Sequence, residues 1–264
     1  MSIPVALTIA GSDSGGGAGI QADIKAMQAN GVFAASAITA ITAQNTVAVT
    51  DALDLPQQLI RNQIEAVMTD LPVAATKTGM LSSHGIIRTV ATAVRDFGIS
   101  PLVVDPVMIS KSGFSLLVES AVEALVAEML PLATVCTPNA HEAARLVGGD
   151  IRTENDAAEA ARAIQAMGPE AVLVKGGHLD DEHEAVDVLF DGEQMHVIRS
   201  PRINTEHTHG TGCTYAAAIA ARLAHGDSVV DAVRTAHDYV HAAIKAGLAI
   251  GKGHGPTDHF YFLR

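Results

Sequence analysis

Short apolar runs alternate with amphipathic helical stripes along nearly the whole chain, and that alternation limits the folds open to it. Val5 to Ala10 reads as a buried strand, followed by the glycine-rich segment Gly11 to Gly19. A helix comes next, with Ile20, Ile24 and Met27 on one face and Gly31 as its stop. Leu59, Ile60, Ile64, Val67 and Met68 keep helical period after Pro56, and Val73 to Thr78 reads as a strand. Ile86, Ile87, Val90, Val94 and Phe97 form a helical stripe that ends at Gly98. Strand Leu102 to Asp105 runs into the loop Pro106 to Gly113. Helix Glu119 to Met129, strand Ala133 to Thr137, helices Ala140 to Val147 and Ala157 to Met167, and strand Ala171 to Lys175 follow. Val186 to Phe190 and Gln194 to Ile198 flank Asp191-Gly192, a dipeptide favoured in two-residue hairpin turns. Helices Thr214 to Ala224 and Ser228 to Leu248 come last.

Strands separated by helices can return parallel to one another, and a parallel sheet needs cover on both faces. The expected fold class is therefore α/β, a mostly parallel central sheet with helices on both faces, in a single domain spanning residues 1–264. No internal repeat, low-complexity segment or linker interrupts it. Ligands of such sheets sit at the carboxyl ends of the strands. The chemically suggestive residues follow Ala10, Thr78, Asp105, Thr137 and Lys175, where strands end.

Charge narrows the partners. Twenty-nine acidic and 17 basic side chains give a formal charge of −12, which disfavours duplex nucleic acid and anionic lipid. An anionic ligand must then be held by a local device. The longest weakly polar run, Val32 to Ala43, falls short of the about 20 apolar residues a membrane span needs. No basic region precedes an apolar one at the N-terminus, so a signal peptide is not expected. Cys136 and Cys213 are too far apart to read as a zinc knuckle or redox pair. The expected location is the cytoplasm, with reduced thiols.

Several motifs fail on inspection. Gly17-Ala18-Gly19-Ile20-Gln21-Ala22 fits a dinucleotide turn, but no Asp or Glu lies between Ile24 and Thr50 to hold a ribose. Asp13-Ser14-Gly15-Gly16 echoes a serine-protease nucleophile segment in the wrong fold class. No Walker P-loop is present. His237-Asp238-x-x-His241 has zinc-ligand spacing, but the two residues flank the apolar stripe of Val229, Val233, Val240 and Ile244 and read as boundary histidines.

Two motifs carry more. His209-Gly210-Thr211-Gly212-Cys213-Thr214 enters an apolar helix, where free N–H groups and aligned peptide dipoles favour an anion. The same position lowers a thiol's pKa from about 8.5, making Cys213 a candidate base or nucleophile. The alternative is a plain helix start with an inert small residue. Pro138-Asn139-x-x-Glu142 begins a helix after a strand and is either a box-like cap or a carboxylate and amide suited to hydrated Mg²⁺ and phosphate. Asp105 presents a second carboxylate from another strand end.

Together these segments resemble the bacterial hydroxymethylpyrimidine/phosphomethylpyrimidine kinases of thiamine biosynthesis, in the ribokinase-like superfamily. The resemblance is carried in order by Ile9 to Gly19, Thr42-Ala43-Gln44-Asn45-Thr46, Lys77-Thr78-Gly79-Met80-Leu81, Asp105-Pro106-Val107-Met108 with Lys111-Ser112-Gly113, Thr137-Pro138-Asn139 with Glu142, Lys175-Gly176-Gly177-His178, and His209 to Thr214. It implies a ribokinase-like three-layer sandwich and ATP-dependent phosphorylation of 4-amino-5-hydroxymethyl-2-methylpyrimidine, then of its monophosphate. By the resemblance, Gly210, Thr211, Gly212 and Cys213 form the anion hole, with Cys213 where most ribokinase-like enzymes have an Asp base. Glu142 and Asp105 would serve Mg²⁺, and Asn139, Lys175 and Gly177 would lie along ATP. Gln44 would meet the pyrimidine's polar edge and Asp23 would help hold the substrate. Met80 and Val107 would sandwich the ring, Gly11 would line its pocket, and Lys111 with hinge Gly113 would form a flap. Family members tend to dimerise, so a homodimer is expected. Two other readings compete: a pyridoxal kinase of the same superfamily, and a catalytically silent pyrimidine sensor.

Overall fold

The computed structural model describes residues 3–108, 119–177, 179–180 and 183–264. Among them, nine strands form one sheet: β1 (Val5–Asp13), β2 (Phe33–Gln44), β3 (Val49–Asp54), β4 (Val73–Thr78), β5 (Leu102–Val104), β6 (Val135–Cys136), β7 (Ala171–Val174), β8 (Glu184–Phe190) and β9 (Met195–Pro201). Their order is β3-β2-β1-β4-β5-β6-β7-β8-β9. The six from β2 to β7 are mutually parallel, and β3, β8 and β9 are antiparallel additions at the two edges. The order reverses beside β1, which lies between β2 and β4, so the loops leaving β1 and β4 diverge and open a crevice at their carboxyl ends.

Among the described residues, eight α-helices cover the sheet: α1 (Gly19–Ala29), α2 (Gln57–Met68), α3 (His84–Asp96), α4 (Glu119–Ala124), α5 (Ala140–Val147), α6 (Glu154–Gln165), α7 (Thr211–Ala224) and α8 (Val229–Lys245). A π turn at Leu125–Met129 and a 3₁₀ turn at Leu130–Leu132 extend α4. Helices α2 to α6 pack on one face and α1, α7 and α8 on the other, which makes the three layers. Strands β5, β6 and β7 are apolar at every position because alternate side chains enter different cores. Leu102 and Val104 face the α2–α6 layer while Val103 faces the α7 layer, and Val172, Leu173 and Val174 repeat the pattern. Helix α7 is buried on all sides from Thr214 to Ala221, wedged between α1, α8 and β4. Its run of alanines permits that close approach. No helix among the described residues is long and apolar enough to cross a membrane.

The sequence reading needs three corrections. Strand β1 continues through Gly11 and Ser12 to Asp13, beyond the expected end at Ala10. The pair β2 and β3 had no counterpart in the expectation. The first is a low-contrast run of Ala, Ser, Thr and Ile, and the second is an exposed edge strand. The hairpin turn between β8 and β9 is a four-residue loop, closed by Asp191 N donating to Gln194 O at 3.1 Å.

One charge pair lies inside the core. Lys77 on β4 and Asp23 on α1 are both fully buried. Lys77 Nζ is 2.9 Å from each Asp23 oxygen, and Thr8 Oγ1 donates to Oδ2 at 2.6 Å. Burial alone would depress the Lys77 ammonium, but the Asp23 carboxylate outweighs it and holds the lysine above its usual range. Removing one partner of such a pair leaves an uncompensated buried charge. Lys77→Met should therefore lower the unfolding free energy by about 3–5 kcal/mol, and adding Asp23→Leu should recover much of that loss. Urea unfolding of the single and double variants checks both signs; a double variant as unstable as the single one would contradict this account.

Candidate active site

The site is built from turns at the carboxyl end of the sheet. After β1 the chain makes a glycine-rich turn around the Asp13 side chain. Oδ1 accepts from Gly15 N at 2.8 Å, and Oδ2 accepts from Ala18 N at 2.8 Å and Gly17 N at 3.1 Å. His209 Nε2 reaches the same Oδ2 at 3.0 Å. Burial alone would raise the Asp13 pKa, but His209 and the N–H groups outweigh it and hold the carboxyl below its usual range. A buried carboxylate thus organises the turn from inside.

The second turn begins α7. Gly210 caps the helix with φ +78° and no side-chain cap, and the first turn carries no acidic residue. Its N–H groups have no partners within the helix and mark a site for an anion. Lys175 lies beside it: a Cβ placed on Gly212 would be 3.3 Å from Lys175 Nζ. Lys175 Nζ in turn is 2.8 Å from Asp105 Oδ1, which also accepts from Thr137 Oγ1 at 3.1 Å. The strand ends after β5, β6 and β7 therefore supply a carboxylate, a hydroxyl and an ammonium beside one helix N-terminus.

Asn139 and Glu142 form a reciprocal capping box on α5: Glu142 N donates to Asn139 Oδ1 at 3.0 Å and Asn139 N donates to Glu142 Oε2 at 2.8 Å. The cap is real, and it also faces a cleft. Burial, reinforced by Asp105 and opposed by Lys175, pushes Glu142 up to about 7. The cleft of about 1100 Å³ is lined by Asn139, Glu142, Asp105, Val107, Lys175, Gly177 and the whole segment Thr208 to Cys213. The structure therefore gathers the nucleotide-side and anion-hole residues named from sequence around one space.

Other expectations change. The helix N-terminus was expected to lower the Cys213 pKa. Burial pushes the thiol up to about 11 instead, because desolvation and the Asp23 and Asp105 carboxylates outweigh the Lys77 ammonium and the Gly19 N–H. Asp23 was expected to help hold the substrate; it is fully buried, with both oxygens engaged by Lys77 and Thr8. Gly11 and Met80 do meet, since a Cβ on Gly11 would lie 2.4 Å from Met80 Cε. Gln44 does not line the large cleft, yet its amide nitrogen is 3.3 Å from His209 Nε2, which does. Lys111 and Gly113 lie outside the described residues.

Sequence reasoning missed a second wall of the cleft. Asp187 on β8 accepts from Gly176 N at 2.8 Å and from Tyr215 Oη at 2.9 Å, and pairs with His237 Nδ1 at 2.8 Å. Arg202 donates to Gly177 O at 3.0 Å and Leu179 O at 3.1 Å, pinning the loop after β7. His241 Nε2 meets Pro201 O at 3.0 Å and His237 Nδ1 meets Asp187, so each histidine of the pair has a hydrogen-bond partner of its own. Only the spacing of the two histidines was visible in sequence; their partner Asp187 is brought in by the β8–β9 hairpin.

Comparison with known proteins agrees with this geometry. The model of the family described as phosphomethylpyrimidine kinase matches residues 13–258. A Streptomyces coelicolor hydroxymethylpyrimidine/phosphomethylpyrimidine kinase is 50% identical over 260 residues, covering 98% of this chain and 96% of that protein. The Bacillus subtilis protein of the same name is 49% identical over 264 residues, covering 100% and 97%. Among solved structures, an ADP complex of Bacillus subtilis pyridoxal kinase superposes with a TM-score of 0.93 at 40% identity, covering 99% of both chains. A phosphomethylpyrimidine kinase from Clostridium difficile superposes at 0.81 and 44% identity, covering 92% of this chain and 100% of that one.

The two glycine turns meet at Gly210, where an added Cβ would lie 1.8 Å from Gly17 O. Gly31 has the same φ of +78°, but its nearest neighbour would be the His225 ring at 3.6 Å. Gly31→Ala should show the backbone strain alone, about 1–2 kcal/mol. Gly210→Ala should exceed it, because two backbones must separate as well. Comparing the urea midpoints of the two variants checks this, and equal losses would mean that the turns are not in close contact.

Proposed function

The chain belongs to the phosphomethylpyrimidine kinase family, and from that premise we propose how its residues share the work. It is a hydroxymethylpyrimidine/phosphomethylpyrimidine kinase of thiamine biosynthesis. The reading of the site rests above all on one observation: the N-terminus of α7 faces the cleft with Lys175 beside it. Phosphoryl transfer is dominated by positioning and charge stabilisation. The N–H groups of Gly210, Thr211, Gly212 and Cys213 would meet the transferred phosphoryl group, and Asn139, Lys175 and Gly177 would lie along the nucleotide.

The donor set fits Mg²⁺ of a particular kind. Asp105 and Glu142 give two carboxylates on the cleft. That suits a cation arriving with the triphosphate, since Mg²⁺ is commonly bound by one or two carboxylates plus phosphates and waters. When bound it would neutralise charge on the phosphates, while Lys175 holds Asp105 in place.

Gln44 would read the polar edge of the pyrimidine, with Gly11, Met80 and Val107 around the ring. Lys77, fixed by Asp23, places a positive charge near Cys213. Two free cysteines fit a reducing compartment. Ile41 and Leu53, paired across β2 and β3 and both exposed, offer an apolar edge that a second copy of a homodimer could cover.

A second reading is favoured by the superposition on pyridoxal kinase. Mass-resolved product analysis decides between the two. Purified protein with Mg-ATP should add one and then two phosphates to 4-amino-5-hydroxymethyl-2-methylpyrimidine. Phosphate on pyridoxal alone would overturn the assignment, and no product from either would favour a sensor.

The raised thiol gives a pH prediction. Well below a pKa of about 11, the Cys213 thiolate grows tenfold per pH unit. If that thiolate takes the proton of the alcohol, the single-turnover rate of the first phosphorylation should rise about tenfold per unit between pH 7 and 9. The second should stay nearly flat, because its phosphate nucleophile has a pKa of about 6 and is already ionised. Cys213→Ala should abolish the slope of the first step. A flat profile for both steps in the wild-type protein would reduce Cys213 to a positional role.

A further inference from the structure

Asp13, His209, Gln44 and Thr42 form a chain of polar contacts between the two glycine turns and the end of β2. His209 Nε2 lies 3.0 Å from Asp13 Oδ2 and 3.3 Å from the amide nitrogen of Gln44. The other end of that amide, Oε1, lies 3.3 Å from Thr42 Oγ1, which donates to Ser12 O at 2.9 Å. The Gln44 backbone is gripped as well: Gln44 N donates to Ser14 Oγ at 2.8 Å, and Ser14 Oγ donates to Gln44 O at 2.7 Å. Asp13 and His209 are buried, at 3% and 7% exposure.

The proton order along this chain is fixed by chemistry. Asp13 is held ionised by its N–H donors, and a carboxylate only accepts, so Nε2 of His209 carries the hydrogen between them. A nitrogen bearing that hydrogen has no lone pair left for an N–H of Gln44. At the other end Thr42 Oγ1 has one hydrogen, already directed to Ser12 O, so it suits a donor better than an amide oxygen. Turned end for end, the Gln44 amide would donate to Thr42 Oγ1 and set its oxygen, rather than an N–H, against the Nε2 hydrogen that His209 gives to Asp13. The two ends of an amide are assigned from their partners.

We infer that His209, oriented by Asp13, is a specificity-determining positioning residue that holds the Gln44 amide with its oxygen toward His209 and its nitrogen toward Thr42. Each end keeps one further site, a lone pair on Oε1 and a hydrogen on Nε2, offered to the ring in a set order. This rests on the reading of Gln44 as the group that meets the pyrimidine. An exocyclic amine beside an unprotonated ring nitrogen matches the order when the hydroxymethyl group points at Cys213. The 4-oxo analogue, a carbonyl beside a ring N–H, carries the opposite order. An untethered glutamine could turn over and read either ring. One tethered at both ends cannot turn without leaving His209 facing an amide N–H and Thr42 facing an amide oxygen.

The test compares kcat/KM for 4-amino-5-hydroxymethyl-2-methylpyrimidine and its 4-oxo analogue with Mg-ATP. The wild-type protein should prefer the amino ring by at least about a hundredfold, since a site built around hydrogen bonds rejects a mismatched partner strongly. His209→Ala should shrink that preference about tenfold or more, mostly through KM, and His209→Gln, which restores an N–H donor to Asp13, should keep it. An unchanged preference in a folded His209→Ala protein would overturn the inference. Should His209→Ala fail to fold, ¹⁵N-histidine NMR of the unliganded wild-type chain decides: a proton on His209 Nε2 upholds the inference and a bare Nε2 overturns it. No turnover of either pyrimidine by the wild-type protein would bring down the functional reading instead. The NMR result still judges the proton order in that case.

Discussion

Two glycine turns touch backbone to backbone, and the rest of the site depends on that contact. The turn after β1 brings the carbonyl of Gly17 to where any side chain on Gly210 would have to be. This presses the start of α7 against the start of α1, so the residues expected to hold the acceptor and those expected to hold the transferred phosphate share one wall. The contact is possible because Asp13 curls the first turn inward on three N–H groups, and because α7 is made of small residues that let it sink between α1, α8 and the sheet. His209 seals the join, donating to the same carboxylate from the opposite turn. A side chain in the middle of a site usually faces the ligand. Asp13 faces the protein, and its work is to keep two flexible turns in a single arrangement.

Much of this was legible in the sequence where physical contrast was high. The strand Val73–Thr78 and the helix Ala140–Val147 were placed to the residue, because one is a short apolar run and the other starts at an Asn-x-x-Glu cap. Strands β2 and β3 were not. Phe33–Gln44 mixes Ala, Ser, Thr and Ile without alternation, since one part lies under helices and another under only an edge strand. Residues that act through contacts across the sheet were also hidden. Nothing near Lys77 in sequence shows that its partner Asp23 lies 54 positions away on another element. His209 stood in a recognised motif but was passed over, because its role comes from Asp13, 196 positions distant. The Cys213 pKa was read in the wrong direction, since the helix end is visible in sequence and the degree of burial is not.

The electrostatics explain how a chain of formal charge −12 can hold polyphosphate. Each carboxylate on the acidic side of the site is answered locally. Asp23 faces Lys77 and Asp105 faces Lys175, so these two pairs contribute little net charge. Burial pushes Glu142 up to about 7, which disfavours its charge. The positive end of α7, with no acidic side chain in its first turn, faces the cleft together with Arg145 and Arg202.

The character of Cys213 follows from the same balance. A carboxylate at its position would add a negative charge, beyond the paired Asp23 and Asp105, to the field of the helix N-terminus. A thiol held up to about 11 is neutral in the resting site, so it leaves that field intact while ligands assemble. To take the proton of an attacking alcohol it must first lose its own, and the Lys77 ammonium is the charge that favours its thiolate. The burial that makes Cys213 a weak resting base is therefore also what keeps the anion site open to two successive phosphate-bearing ligands.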